Sequence, residues 1–126
     1  MKEAKFYICE RCGNLVKMIH DSGVNPVCCG QKMTKLEAGV KEASREKHIP
    51  KVTVEAGRVI AEVGSVYHPM SEEHHIAWVY LQTDKGGQRK VLAPTDEPIV
   101  KFALDDEKPI AVYAYCNLHG LWKAEI

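Results

Sequence analysis

The chain has no surplus of charge of either sign: 17 lysines and arginines face 17 aspartates and glutamates. Such a balance leaves no long-range field to gather nucleic acid or an anionic membrane surface, so neither is expected as a partner. Long apolar runs are missing too. Nothing approaches the roughly 20 residues of a spanning helix, and the N-terminus lacks the apolar segment of a secretory signal. The expected location is the cytoplasm. An even cysteine count is also absent. Five cysteines cannot all pair, which argues against a disulfide framework. In a reducing compartment such thiols serve as metal ligands or catalytic groups. There is no long internal repeat and no low-complexity tract.

Four of the cysteines are crowded near the start, as Cys9-x2-Cys12 and the adjacent pair Cys28-Cys29. The stretch 1–36 alternates strand-like runs with turn residues such as Gly13, Asn14, Gly23 and Gly30. A segment this short buries little core and needs a staple. Four thiolates supply one, because soft sulfur donors in a tetrahedron suit zinc or iron, and spacing alone does not choose between them. Two sulfurs on neighbouring residues reach one ion only if the local backbone bends, so a distorted site is expected.

Residues 37–45 are polar and read as a linker, and beyond Pro50 the pattern changes to period two. "KVTVEAG", "RVIAEVGSV", "IAWVYLQT", "KVLA", "IVKFAL" and "IAVYAY" are separated by turn residues at Ala56-Gly57, Asp84–Gly87, Pro94, Pro98 and Asp105-Asp106. Roughly seven short strands in about 80 residues predict an all-β, antiparallel sandwich. "SEEHH", at 71–75, is the one place where a helical turn is expected, capped by Ser71.

The histidines fall on the expected loops of this second segment: His48 before Pro50, His68 before Pro69, His74 and His75 in the short turn, and His119 three residues after Cys116. Each alone would be an ordinary surface histidine, and Cys116 alone a small buried hydrophobe. Loops gathered at one end of a sandwich would instead bring four imidazoles and a thiolate together. That set exceeds the four ligands of structural zinc. It suits redox-active iron, with a strong sulfur donor on one side and a free position opposite. Spacing does not choose between His74 and His75.

Together, the four early cysteines, "EKHIP" at 46–50, "HPMSEEHHIAW" at 68–78 and "YCNLHGLWKAE" at 115–125 resemble the desulfoferrodoxins, the two-iron class of superoxide reductase. The likeness covers nearly the whole chain. It implies a desulforedoxin-like module (1–36) with one iron on Cys9, Cys12, Cys28 and Cys29. It further implies an immunoglobulin-like sandwich (46–126) with a catalytic iron on His48, His68, His74, His119 and Cys116. The family pattern favours His74 over His75. It also gives Glu46 and Lys47 functional roles, the carboxylate closing the oxidised site and the ammonium attracting superoxide. The implied reaction is one-electron reduction of superoxide to hydrogen peroxide, with an external carrier such as rubredoxin as donor and a homodimer as the working form. Two other readings compete: a rubredoxin-like electron carrier using the four cysteines alone, and a zinc-ribbon interaction module. Neither gives a purpose to the histidines and cysteine of 46–126.

Overall fold

The computed structural model describes residues 3–41 and 43–126. The chain forms two compact units, Met1–Glu37 and Ala38–Ile126. In the first, β1 (Phe6–Ile8) lies between β2 (Leu15–Lys17) and β5 (Thr34–Lys35), antiparallel to both, and β3 (Val27–Cys28) pairs with β4 (Gln31–Lys32). Its core is Tyr7, Cys9 and Met33, with Met18 and Cys28 packed against them. So small a core cannot hold a fold by burial alone.

The second unit opens with one helical turn, α1 (Arg45–His48), and continues as β6 (Pro50–Glu55), β7 (Arg58–Val63), β8 (Ile76–Thr83), β9 (Gly86–Val91), β10 (Ile99–Ala103), β11 (Pro109–Cys116) and β12 (Gly120–Glu125). Two antiparallel sheets, ordered β10-β7-β6 and β12-β11-β8-β9, make an immunoglobulin-like sandwich of seven strands among the described residues. The period-two pattern is what packs it. Val59, Ala61 and Val63 of β7, Val100 and Phe102 of β10, Val79 and Leu81 of β8, and Val112, Ala114 and Cys116 of β11 all point into one core.

Two expectations need correction. No helix forms at 71–75. Ser71 does accept a bond from the His74 N–H at 3.2 Å, as a cap would, but its own N–H donates to the His74 carbonyl at 3.0 Å and closes a turn instead. Among the described residues the single helical turn lies at 45–48, where the stretch read as linker gives way to the second segment. In addition, Gly86 and Gly87 open β9 and are not part of its turn. Gly87 is needed there, since a Cβ would overlap the Tyr80 hydroxyl and the Leu81 carbonyl.

Strands β9 and β10 are each one of the two edges of their sheets. Across the seam the Gln88 amide donates to the Ala103 carbonyl and the Lys90 ammonium to the Lys101 carbonyl, each at 2.6 Å. At the end of the sandwich Pro50 pairs with Val63 and Ile76 with Cys116. The start of β6, the end of β7, the start of β8 and the end of β11 therefore meet there. This is the end that gathers the histidines.

Candidate metal centres

In the first unit the sulfurs of Cys9, Cys12, Cys28 and Cys29 all lie within 4.8 Å of one another. Two tight turns bring them there. Around the first pair the Gly13 N–H donates to the Cys9 carbonyl at 2.9 Å, and the Cys12 N–H points at the Cys9 sulfur at 3.4 Å. The adjacent pair is split by the β3–β4 hairpin. Cys28 ends β3, whereas Cys29 takes a left-handed backbone (φ 53°) ahead of Gly30 (φ 73°). That is the local bend the sequence demanded, at a cost of about 1–2 kcal/mol for a non-glycine residue. The Cys12 N–H lowers the Cys9 thiol to about 6, while the neighbouring thiols of Cys12 and Cys9 push Cys29 up to about 12. Four sulfurs this close cannot all ionise without a cation among them, and a soft metal ion is the cation such donors fit.

In the second unit, donor atoms of His48, His68, His74 and Cys116 lie within 4.8 Å of one another. His119 joins them, with Nδ1 3.2 Å from His48 Nε2 and 3.9 Å from the Cys116 sulfur. The four imidazoles form a closed square. Neighbouring centroids are 4.5 Å (His48–His68), 4.5 Å (His68–His74), 5.0 Å (His74–His119) and 5.0 Å (His119–His48), and each ring stands 80–81° to the next. Cys116 rises to them from the core, fully buried.

Local structure fixes which nitrogens face inward. His48 ends α1, and its Nδ1–H donates to the Ser44 carbonyl at 2.6 Å. His68 Nδ1–H donates to the Pro69 carbonyl at 2.7 Å. A carbonyl only accepts, so in both neutral rings Nε2 carries a bare lone pair. Those two Nε2 atoms are 3.1 Å apart with no hydrogen between them. His74 Nε2 is buried without a hydrogen-bond partner. Lone pairs gathered this way are held by a cation, and the donor set suits iron. Trp122 braces two members, its Nε1–H donating to the His119 carbonyl at 3.0 Å and its ring 4.9 Å from that of His48.

Burial favours the neutral form of three of these histidines. It lowers His48 and His74 and takes His68 down to about 4, and the Lys47 charge adds to the effect on His48 and His74. Burial pushes the Cys116 thiol up, against the N–H groups of His119 and Leu118 that point at its sulfur. A pH dependence follows. Unfolded His68 takes a proton near 6.5, but folded His68 only near 4. The metal-free chain should therefore be at full stability above about pH 6.5 and lose stability as pH falls towards 4. Urea unfolding of metal-free protein across that range checks this, and a flat profile would contradict it.

Glu46 is exposed and Lys47 half-buried, both on α1 beside His48. The Glu46 carbonyl is held by the Val66 N–H at 3.0 Å and the Ser65 hydroxyl at 3.3 Å. With Arg45, Ile49, Pro50, Lys51 and Ser65, Glu46 lines a cavity of about 330 Å³. His75 turns away, its Nδ1 bonded to the Ser71 carbonyl at 2.9 Å, which separates it from His74. Sequence reasoning missed the parts played by Trp122 and Ser44, the second of which acts only through its backbone carbonyl.

Comparison with known proteins agrees with this geometry. The family profile for Desulfoferrodoxin matches residues 40–125, and that for Desulfoferrodoxin, N-terminal domain, matches residues 1–36. The chain is 41% identical over 121 residues to the desulfoferrodoxin of Nitratidesulfovibrio vulgaris, covering 96% of this chain and 95% of that one. It is likewise 41% identical over 118 residues to a desulfoferrodoxin homologue of Archaeoglobus fulgidus, covering 94% of each. Among solved structures, the superoxide reductase of Treponema pallidum superimposes with a TM-score of 0.83 at 39% identity, covering 98% of this chain and all of the other. With both profiles matched in order and both donor clusters assembled, the chain belongs to the desulfoferrodoxin family.

Proposed function

We propose that the chain is a superoxide reductase, reducing superoxide to hydrogen peroxide at the cluster in its second unit. The observation that carries this reading is the closed square of four imidazoles above one buried thiol. In this reading residues 1–36 are a four-cysteine module and 46–126 the catalytic domain. Cys9, Cys12, Cys28 and Cys29 hold one iron, and His48, His68, His74, His119 and Cys116 hold the other. Iron at the second cluster supplies the electron that superoxide accepts, which zinc cannot do.

The protein's own groups do the rest. Four neutral nitrogens add no charge, so Cys116 as a thiolate is the anionic donor and the strongest one. Lys47 places a positive charge beside His48 and His74, where it draws in the superoxide anion. Glu46 is near enough in sequence to His48, and exposed enough, that its carboxylate would serve as a further donor to the iron when the site is oxidised. Superoxide plus one electron and two protons gives hydrogen peroxide, the protons arriving from water at the Lys47 side.

No helix among the described residues is long and apolar enough to cross a membrane. The five free cysteines fit a reducing compartment, which supports the cytoplasm as the site of action. An external carrier such as rubredoxin as donor, and a homodimer as the working form, complete the proposal. Elemental analysis of protein grown with iron is expected to give an iron for each of the two clusters. Reduced protein mixed with superoxide should then yield peroxide without releasing dioxygen. A single metal per chain, zinc in the second cluster, or dioxygen release would overturn the proposal.

A further inference from the structure

The four histidines are not held alike. The His48 and His68 rings are each fixed by an Nδ1–H bond to a backbone carbonyl. His119 is fixed through its backbone, its N–H on the Cys116 sulfur at 3.4 Å and its carbonyl under the Trp122 indole. The His74 ring makes no hydrogen bond among the described residues, and its Nε2 is the buried atom without a partner. It also sits on a turn, outside any helix or strand. Its position therefore depends on whatever holds the peptides that carry it.

Those peptides are held from across the site by one side chain. Asn117 Nδ2 donates to the Glu73 carbonyl at 2.9 Å, and Asn117 Oδ1 accepts the His75 N–H at 2.8 Å. The Asn117 N–H also donates to the His75 carbonyl at 3.2 Å. The residues on both sides of His74 are thus bonded to a residue placed directly after Cys116 and two before His119. The geometry points to Asn117 as a positioning residue that ties the His74 turn to the Cys116–His119 hairpin and so sets the imidazole against the sulfur. Ser71 closes the same turn from its other side, but within the turn and with no link to the hairpin.

This inference rests on the reading that the second cluster holds a metal, and the test separates the two. The probes are amide exchange at His75 in the metal-free full-length chain, and the affinity of the second cluster for Co(II), measured by chelator competition through its sulfur-to-cobalt absorption. Asn117→Ala is expected to speed exchange at His75 about tenfold, as loss of one hydrogen bond does. It should weaken cobalt binding about 10- to 100-fold, as loss of an outer support usually does. Asn117→Ser, which keeps a shorter and weaker bonding group, should fall between, and it carries the test if the alanine variant folds poorly. On a His74→Ala background, Asn117→Ala should cost no further affinity, because the residue it positions is already gone. Full additivity in that cycle, or unchanged exchange and affinity in both Asn117 variants, overturns the inference. Wild-type chain that takes no cobalt at the second cluster overturns the metal reading, and this inference with it. Wild type and Asn117→Ala binding cobalt equally well overturns this inference alone.

Discussion

Replacing Cys116 by serine is expected to lower superoxide reduction by at least about a hundredfold and to remove the sulfur-to-metal absorption of the oxidised second centre. A hydroxyl does not ionise in this pocket, whose burial already pushes even the thiol up. Without the thiolate the four imidazoles become an all-neutral donor set. The change is otherwise small: serine fits the fully buried position at the end of β11, and the N–H groups of His119 and Leu118 still find an acceptor there. The absorption of the four-cysteine centre should be untouched, since its ligands lie wholly within residues 9–29. Pulse radiolysis and visible spectra of the variant decide the matter. Wild-type reduction kinetics in Cys116→Ser would deny the thiol its role.

Gly64→Ala is the second large effect expected, and it reaches the site through the backbone. A Cβ on Gly64 would overlap the Glu46 carbonyl and stand 2.9 Å from that of Ile49. Both belong to the main chain around α1, so no side chain can rotate away. The helical turn must move instead, and with it Glu46, Lys47 and His48. Overpacking of this kind costs about 3 kcal/mol, a fall in Tm on the order of 10 °C for a chain of this size. Metal affinity at the second centre should drop in parallel, and that at the first should not. Ser65→Ala is the control. It removes only the 3.3 Å hydroxyl bond to the same Glu46 carbonyl and should cost about 0.5 kcal/mol. Thermal melts of the two variants side by side check the prediction, and equal melting temperatures would mean that the contact at Gly64 does not matter.

The strands of the sandwich were legible because their chemistry is periodic. Val59, Ala61 and Val63 alternate with Arg58, Ile60 and Glu62, and no other local structure buries that set on one side. The turn at Ala56-Gly57 was legible for the same kind of reason, with both residues in the left-handed region. The donor residues stood out by type and by their place beside turns, so the sequence could name His68 and Cys116 before any fold was known. What it could not supply was anything that depends on a partner distant along the chain. Ser71 carries a capping signal, but that signal does not reveal that the Asn117 side chain pulls Glu73 and His75 into a turn. The short polar stretch before His48 has no apolar face, and α1 is held there because its Glu46 carbonyl meets the Ser65 hydroxyl and the Val66 N–H, brought alongside by β7. Choosing His74 over His75 likewise needed either the family pattern or the ring positions themselves.

The two bonds across the seam between β9 and β10 bear on how the chain behaves when crowded. An exposed strand edge is a template on which another molecule's strand can grow, and Val91 lies open on this one at 66% exposure. By covering the Ala103 and Lys101 carbonyls, Gln88 and Lys90 leave an arriving strand fewer acceptors, and Lys90 adds a charge that such a strand would have to desolvate. A chain must stay dispersed while its metal sites fill, and these two side chains serve that need without touching either centre.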